Sequence, residues 1–134
     1  LITNPKPFLS TVVDVVISID TGPEIITGST RMKAGTATKM ALNMISTATM
    51  ISMGKVYGNL MVDLMAVNEK LIDRGTRIIQ QITGLEYDSS KDALIRANKS
   101  VKTAIVMIKK YCDLDQAEKK LAAAGGLLRN VIDK

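Results

Sequence analysis

Between Gly22 and Lys39 the sequence reads GPEIITGSTRMKAGTATK, and this is the stretch whose residue types and spacing could do chemistry. A Gly-punctuated loop leads into Ser29 and Thr30, and a long helical pattern follows. The start of a helix offers unpaired backbone N–H groups and the positive end of the dipole, which suits phosphate. Ser29 and Thr30 add hydroxyl donors, and Arg31, Lys33 and Lys39 add positive charge. Glu24 is the one nearby acid, able to accept from sugar hydroxyls or to fix the loop by pairing with a base. Read this way, the stretch is an anion site suited to a phosphorylated polyol. The same residues also serve an ordinary end: Ser29-Thr30 as an N-cap, Arg31 and Lys33 as solvated charges. It is not a P-loop, because the Gly-x4-Gly-Lys-Ser/Thr order is absent.

Composition narrows the chemistry further. The 134 residues include no His and no Trp, one Cys and eight Met. Without His there is no Ser-His-Asp or Cys-His machinery and no His-ligated metal. A single Cys makes neither an internal disulfide nor a multi-Cys zinc site, which points to a reducing compartment. Acid–base work would fall to carboxylates, Lys, Tyr or the thiol. Cys112 stands at a helix end beside the acidic Asp113, with no cation next to it in sequence, so no reactivity is assigned to it. The formal charge of +5 is spread along the chain rather than gathered into a patch. Tyr57, Tyr87, Tyr111 and Phe8 are scattered singly, so nucleic acid is not an expected partner.

Several elements must position that loop. Thr11–Asp20 (TVVDVVISID) is a near-continuous apolar run that predicts a buried strand of a parallel sheet. A lone strand is not stable, so its neighbours are expected outside this chain. Leu1 also stands where a Met would be expected, and no signal peptide pattern opens the sequence. Both observations predict a piece of a longer protein. In an open α/β sheet, a loop after such a strand is where ligands sit.

From Met32 to about Met53, Ala37, Met40, Met44, Ala48 and Ile51 recur at helical spacing with no charge between Lys39 and Lys55. That predicts a helix buried on most sides, and the seven methionines that fall between residues 32 and 65 are expected to fill a core or a subunit interface. It is too short and too polar to span a membrane. Gly54 ends the helix, and Val56–Leu64 is open between an extended piece and a helical turn. Val67–Ile82 is helical, with Leu71, Ile78, Ile79 and Ile82 on one side, and Thr83-Gly84 ends it. Three or four short helices follow from Asp88, capped by Ser89 or Ser90, by Ser100, and by Asp113 with Gln116. Gly125-Gly126 precedes a last one holding Leu127, Leu128 and Val131. This small module is expected to pack on the rest.

Gly22-Pro23-Glu24, Gly28-Ser29-Thr30-Arg31, Lys33-Ala34-Gly35-Thr36 and Lys39 resemble the signature shared by N-acetylmuramic acid 6-phosphate etherases and the glucokinase regulatory protein. The resemblance continues through Leu42-Asn43-Met44, Gly54–Tyr57, Asn59–Asp63 and Asn68–Leu71, and resumes at Ala97-Asn98, Val101-Lys102 and Ala104–Met107. Lys99-Ser100 departs from the Gly-Asn usual in etherases. The resemblance implies a mostly α chain: the last strand and long helices of a truncated sugar isomerase (SIS) domain of α/β type, then a small bundle similar to ubiquitin-associated (UBA) domains. Residues 1–85 would be the SIS part and 86–134 the appended module. The implied reaction cleaves the D-lactyl ether of N-acetylmuramic acid 6-phosphate, giving N-acetylglucosamine 6-phosphate and D-lactate, by elimination and water addition. It needs no cofactor or metal. It serves peptidoglycan recycling in the cytoplasm, with the protein a homodimer.

The acid–base glutamates of the family would lie upstream, so no catalytic residue is expected within this chain and the piece alone would be inactive. The substrate-binding residues carried over are Glu24, Ser29, Thr30, Arg31, Lys33 and Lys39, the last more a structural or interface partner than a ligand contact. A non-enzymatic sugar-phosphate sensor and a pure dimerisation module remain the alternatives.

Overall fold

Helical periodicity over residues 33–52 and 69 onward dominates the chain, and a computed structural model, which describes residues 1–4 and 12–133, is accordingly mostly helical. The chain divides into two compact units, Leu1–Thr49 and Met50–Lys134.

In the first unit, the apolar run predicted as a strand makes no strand among its described residues. It forms one parallel bridge, in which the Ile2 amide donates to the Ile17 carbonyl and the Ile19 amide to the Ile2 carbonyl, both at 2.8 Å. Thr11 lies outside the described residues. Val12, Val13, Val15 and Val16 are exposed rather than buried. The reason is physical: a ladder needs a neighbour of matching length, and the bridge involves the single residue Ile2.

The helix α1 spans Lys33–Ser52, as the Ala, Met and Leu spacing predicts. Its predicted burial does not appear. Ala34 is its one buried residue, while Met40, Leu42, Met44, Ile45 and Ile51 are exposed. A sequence apolar on all sides expects cover, and the described residues of this unit supply a loop and a bridged segment. Its small polar residues turn inward: Ser46 Oγ donates to the Asn43 carbonyl and Thr49 Oγ1 to that of Ile45.

The second unit opens with a hairpin, β1 (Val56–Tyr57) and β2 (Leu60–Met61), antiparallel with Tyr57 opposite Leu60. Gly58 takes the positive φ of 58° that a two-residue hairpin loop asks of its first position. So the ambiguous Val56–Leu64 stretch is extended. Five helices follow: α2 (Glu69–Thr83), α3 (Tyr87–Arg96), α4 (Val101–Lys109), α5 (Leu114–Ala123) and α6 (Leu128–Ile132). Their apolar faces, led by Ile79, Leu94, Ile105 and Leu128 with Val62 just after the hairpin, close one core. Residues 86–132 thus pack on α2 and the hairpin rather than standing apart.

Caps explain most boundaries. Asn68 Oδ1 accepts from the Leu71 amide, Ser100 Oγ from Thr103 and Asp113 Oδ1 from Gln116. Gly84, left-handed at φ 80°, closes α2. The expected caps Ser89 and Ser90 are not caps. α3 starts earlier, at Tyr87 after an N-cap Glu86 that makes no side-chain bond, because Tyr87 Oη is anchored on Asp73 of α2 at 2.9 Å. Ser90 instead lies buried inside α3.

Candidate functional site

The loop before α1 is built by hydrogen bonds to backbone. Asp20 Oδ1 accepts from the Gly22 amide at 2.9 Å, fixing the turn that leads to Pro23. Glu24 then reaches forward to α1. Its Oε2 accepts from the Lys33 amide and its Oε1 from the Ala34 amide, both at 3.0 Å. Lys33 Nζ turns back to the Pro23 carbonyl at 3.0 Å. These three contacts close the loop at its two ends. The paired amides hold the Glu24 carboxyl below the ordinary glutamate range, the Ala34 bond most, with the Lys33 charge adding. α1 has no acid in its own first turn, so Glu24 supplies the negative charge that the helix start favours.

Between those ends, the Ser29 amide donates to the Ile26 carbonyl at 3.0 Å, after Gly28 at φ 84°. Ser29 is half-buried, and Thr30 and Arg31 are exposed beside it. The Thr30 carbonyl accepts from the Gly35 amide at 2.9 Å. The structure therefore joins Glu24 with Lys33, and sets Ser29, Thr30 and Arg31 at the outer edge of the same loop. Lys39 is exposed on α1 and makes no ion pair among the described residues. An open groove of about 480 Å³ beside the loop is lined by Thr21, Ile25, Met32, Lys33, Thr36 and Met40, among others. Its wall is mainly apolar, with the hydroxyls of Thr21 and Thr36 and one cation.

A second charged cluster lies in the second unit and was not singled out from sequence. Asp63 bridges two lysines, Oδ2 to Lys55 Nζ at 2.5 Å and Oδ1 to Lys102 Nζ at 3.2 Å. Lys102 is buried at 9% exposure and also donates to the Gly126 carbonyl at 2.9 Å. The Lys55 bond foremost, and Lys102 after it, hold the Asp63 carboxyl below the usual range. The available signal was a lysine inside the apolar Val101–Val106 run. Among the described residues no group of three or more His, Cys, Asp or Glu could hold a metal, and no helix is long and apolar enough to cross a membrane.

A family model described as the C-terminal lid domain of glucokinase regulatory protein matches residues 58–102, the hairpin through the start of α4. That stretch is similar to a lid of this kind. Along nearly its whole length the chain is similar to N-acetylmuramic acid 6-phosphate etherases. It is 52% identical over 126 residues to that of Oceanobacillus iheyensis, 50% over 129 to that of Mycolicibacterium smegmatis and 48% over 131 to that of Escherichia coli O7:K1. These matches take in 94%, 96% and 98% of the chain, and 43%, 43% and 44% of the relatives. The chain spans less than half the length of the N-acetylmuramic acid 6-phosphate etherases it matches.

Proposed function

We propose that this chain is the part of an N-acetylmuramic acid 6-phosphate etherase that supplies one wall of the phosphosugar site. The observation that carries the reading is identity near 50% across 94–98% of the chain, the Gly22–Lys39 loop included. The whole protein then acts as a carbon–oxygen lyase, releasing D-lactate and N-acetylglucosamine 6-phosphate. Its acid and base come from residues outside this chain, so the residues present bind and orient. Ser29, Thr30 and Arg31 face the phosphorylated amino sugar, with Lys33 and Lys39 contributing charge and Glu24 holding the loop. No cofactor or metal enters this scheme.

The broader assignments belong to the same proposal. Residues 1–85 are the closing part of a SIS domain, and 86–134 form a UBA-like module whose role is packing. The whole protein works in the cytoplasm as a homodimer, without nucleic acid or membrane partners. The exposed apolar face of α1 supports a covering surface of that kind.

The test is D-lactate release by full-length protein given the phosphorylated muramic sugar. Changing both Ser29 and Arg31 to Ala should weaken phosphosugar binding by at least about tenfold, the order expected for losing one charged contact. The match of residues 58–102 to a regulatory protein's lid favours one second reading, a sugar-phosphate sensor. Tight phosphosugar binding without lactate release would select it. Full binding by the double variant would leave only an assembly module.

A further inference from the structure

We propose that Glu24 is a positioning residue, an internal anion that occupies the start of α1 and thereby sets how Ser29, Thr30 and Arg31 are presented. This deepens the proposed function and rests on it for the ligand. The geometry is specific. Both carboxylate oxygens are engaged, each by a different backbone amide of the first helical residues. The Lys33 ammonium is turned onto the Pro23 carbonyl, next door in sequence to Glu24. The eight residues between Glu24 and Lys33 are therefore a closed loop tied at both ends, carrying Ser29, Thr30 and Arg31.

Two consequences follow. The first pair of helix N–H groups, the ready seat for a phosphate, is already filled by a carboxylate. A phosphosugar thus meets the outer hydroxyls and the Arg31 guanidinium rather than the helix start. Lys33 likewise acts through the loop. Glu24 then affects every ligand of the loop equally, phosphate or phosphosugar, because it touches none of them.

The experiment uses full-length protein, with Glu24→Ala and the same-sized Glu24→Gln. Hydrogen exchange of the Lys33 and Ala34 amides is measured without ligand. Affinities for inorganic phosphate and for N-acetylglucosamine 6-phosphate are measured beside it. The expected result is exchange faster by about tenfold at those two amides in Glu24→Ala, with Met40–Met44 unchanged, the size expected for a lost cap. Both ligands should lose affinity by the same factor, again about tenfold. Glu24→Gln, which keeps one acceptor oxygen, should fall between and retain the native melting temperature. Unchanged exchange at Lys33 and Ala34 in both variants overturns the proposal. So does a loss confined to the phosphosugar, which would make Glu24 a direct sugar contact. If Ser29→Ala with Arg31→Ala leaves both affinities unaltered, the phosphosugar reading of the loop fails, and the exchange rates still decide the role of Glu24.

Discussion

Lys102 sits among Val101, Ala104 and Ile105 on the buried side of α4, where a cation is stable only with partners. Asp63 and the Gly126 carbonyl are those partners. Removing the acid should hurt more than removing the base. Asp63→Ala leaves a buried ammonium uncompensated and should cost about 3 kcal/mol, whereas Lys102→Met fills the same space with apolar atoms and should cost about 1 kcal/mol or less. Urea unfolding checks the order. The depressed Asp63 pKa fixes the direction with pH. Its contribution is complete above the unfolded carboxylate value, near 3.9, and is lost as pH falls through the lower folded value. Asp63→Asn should therefore flatten the acid limb of stability. Asn98 and Lys99, left-handed at φ 51° and 64°, end α3, and Lys99 lacks the freedom of glycine there. Lys99→Gly should raise stability by about 1 kcal/mol in the same assay. At this scale, local spacing was legible and distant pairing was not. Ser100 and Asp113 read as caps because each amide they bind lies three residues on. The Glu24 cap spans nine residues, and the Lys102–Gly126 bond twenty-four, beyond any periodic signal.

Elements were legible where a period had room to repeat. α1, α2 and α4 each carry two or more turns of apolar residues, and their bounds fall within a few residues of the pattern. The hairpin has two residues per strand, too few to show alternation, so its sequence stayed ambiguous. The Thr11–Asp20 run failed for another reason, since strand propensity describes a fit to neighbours rather than a property of the segment. Packing also fixes residues that pattern does not explain. Gly75 lies mid-helix in α2, where a Cβ would stand 2.8 Å from Val101 Cγ2 and 3.2 Å from Leu94 Cδ2. Gly75→Ala would gain about 1 kcal/mol of helix propensity and lose about 1–3 kcal/mol to overpacking. The clash should win, lowering the melting temperature, and Val at this site should lower it further. Gly54 meets both obstacles together, φ 70° and a Cβ position 2.7 Å from Leu127 Cδ2. Gly54→Ala should destabilise the unit by about 2 kcal/mol in denaturant unfolding.

For the whole molecule, the core lies in residues 62–131, all within the second unit. Residues 50–134 expressed alone should fold with one cooperative thermal transition, close to that of the 134-residue chain. A broad, uncooperative melt would refute that. Sequence indicated that the short helices after residue 86 pack on preceding residues. It could not indicate that the first unit buries so little, because burial depends on what covers α1. That exposed helix has a chemical consequence. Met40 and Met44, at 60% and 69% exposure, are thioethers open to peroxide, whereas Met107 is partly buried against the core. In the isolated chain, Met40 and Met44 should become sulfoxides first. In the longer protein proposed above they should resist, and the ratio of the two oxidation rates, read by peptide mass, turns each methionine of α1 into a gauge of how much of its face the rest of the protein covers.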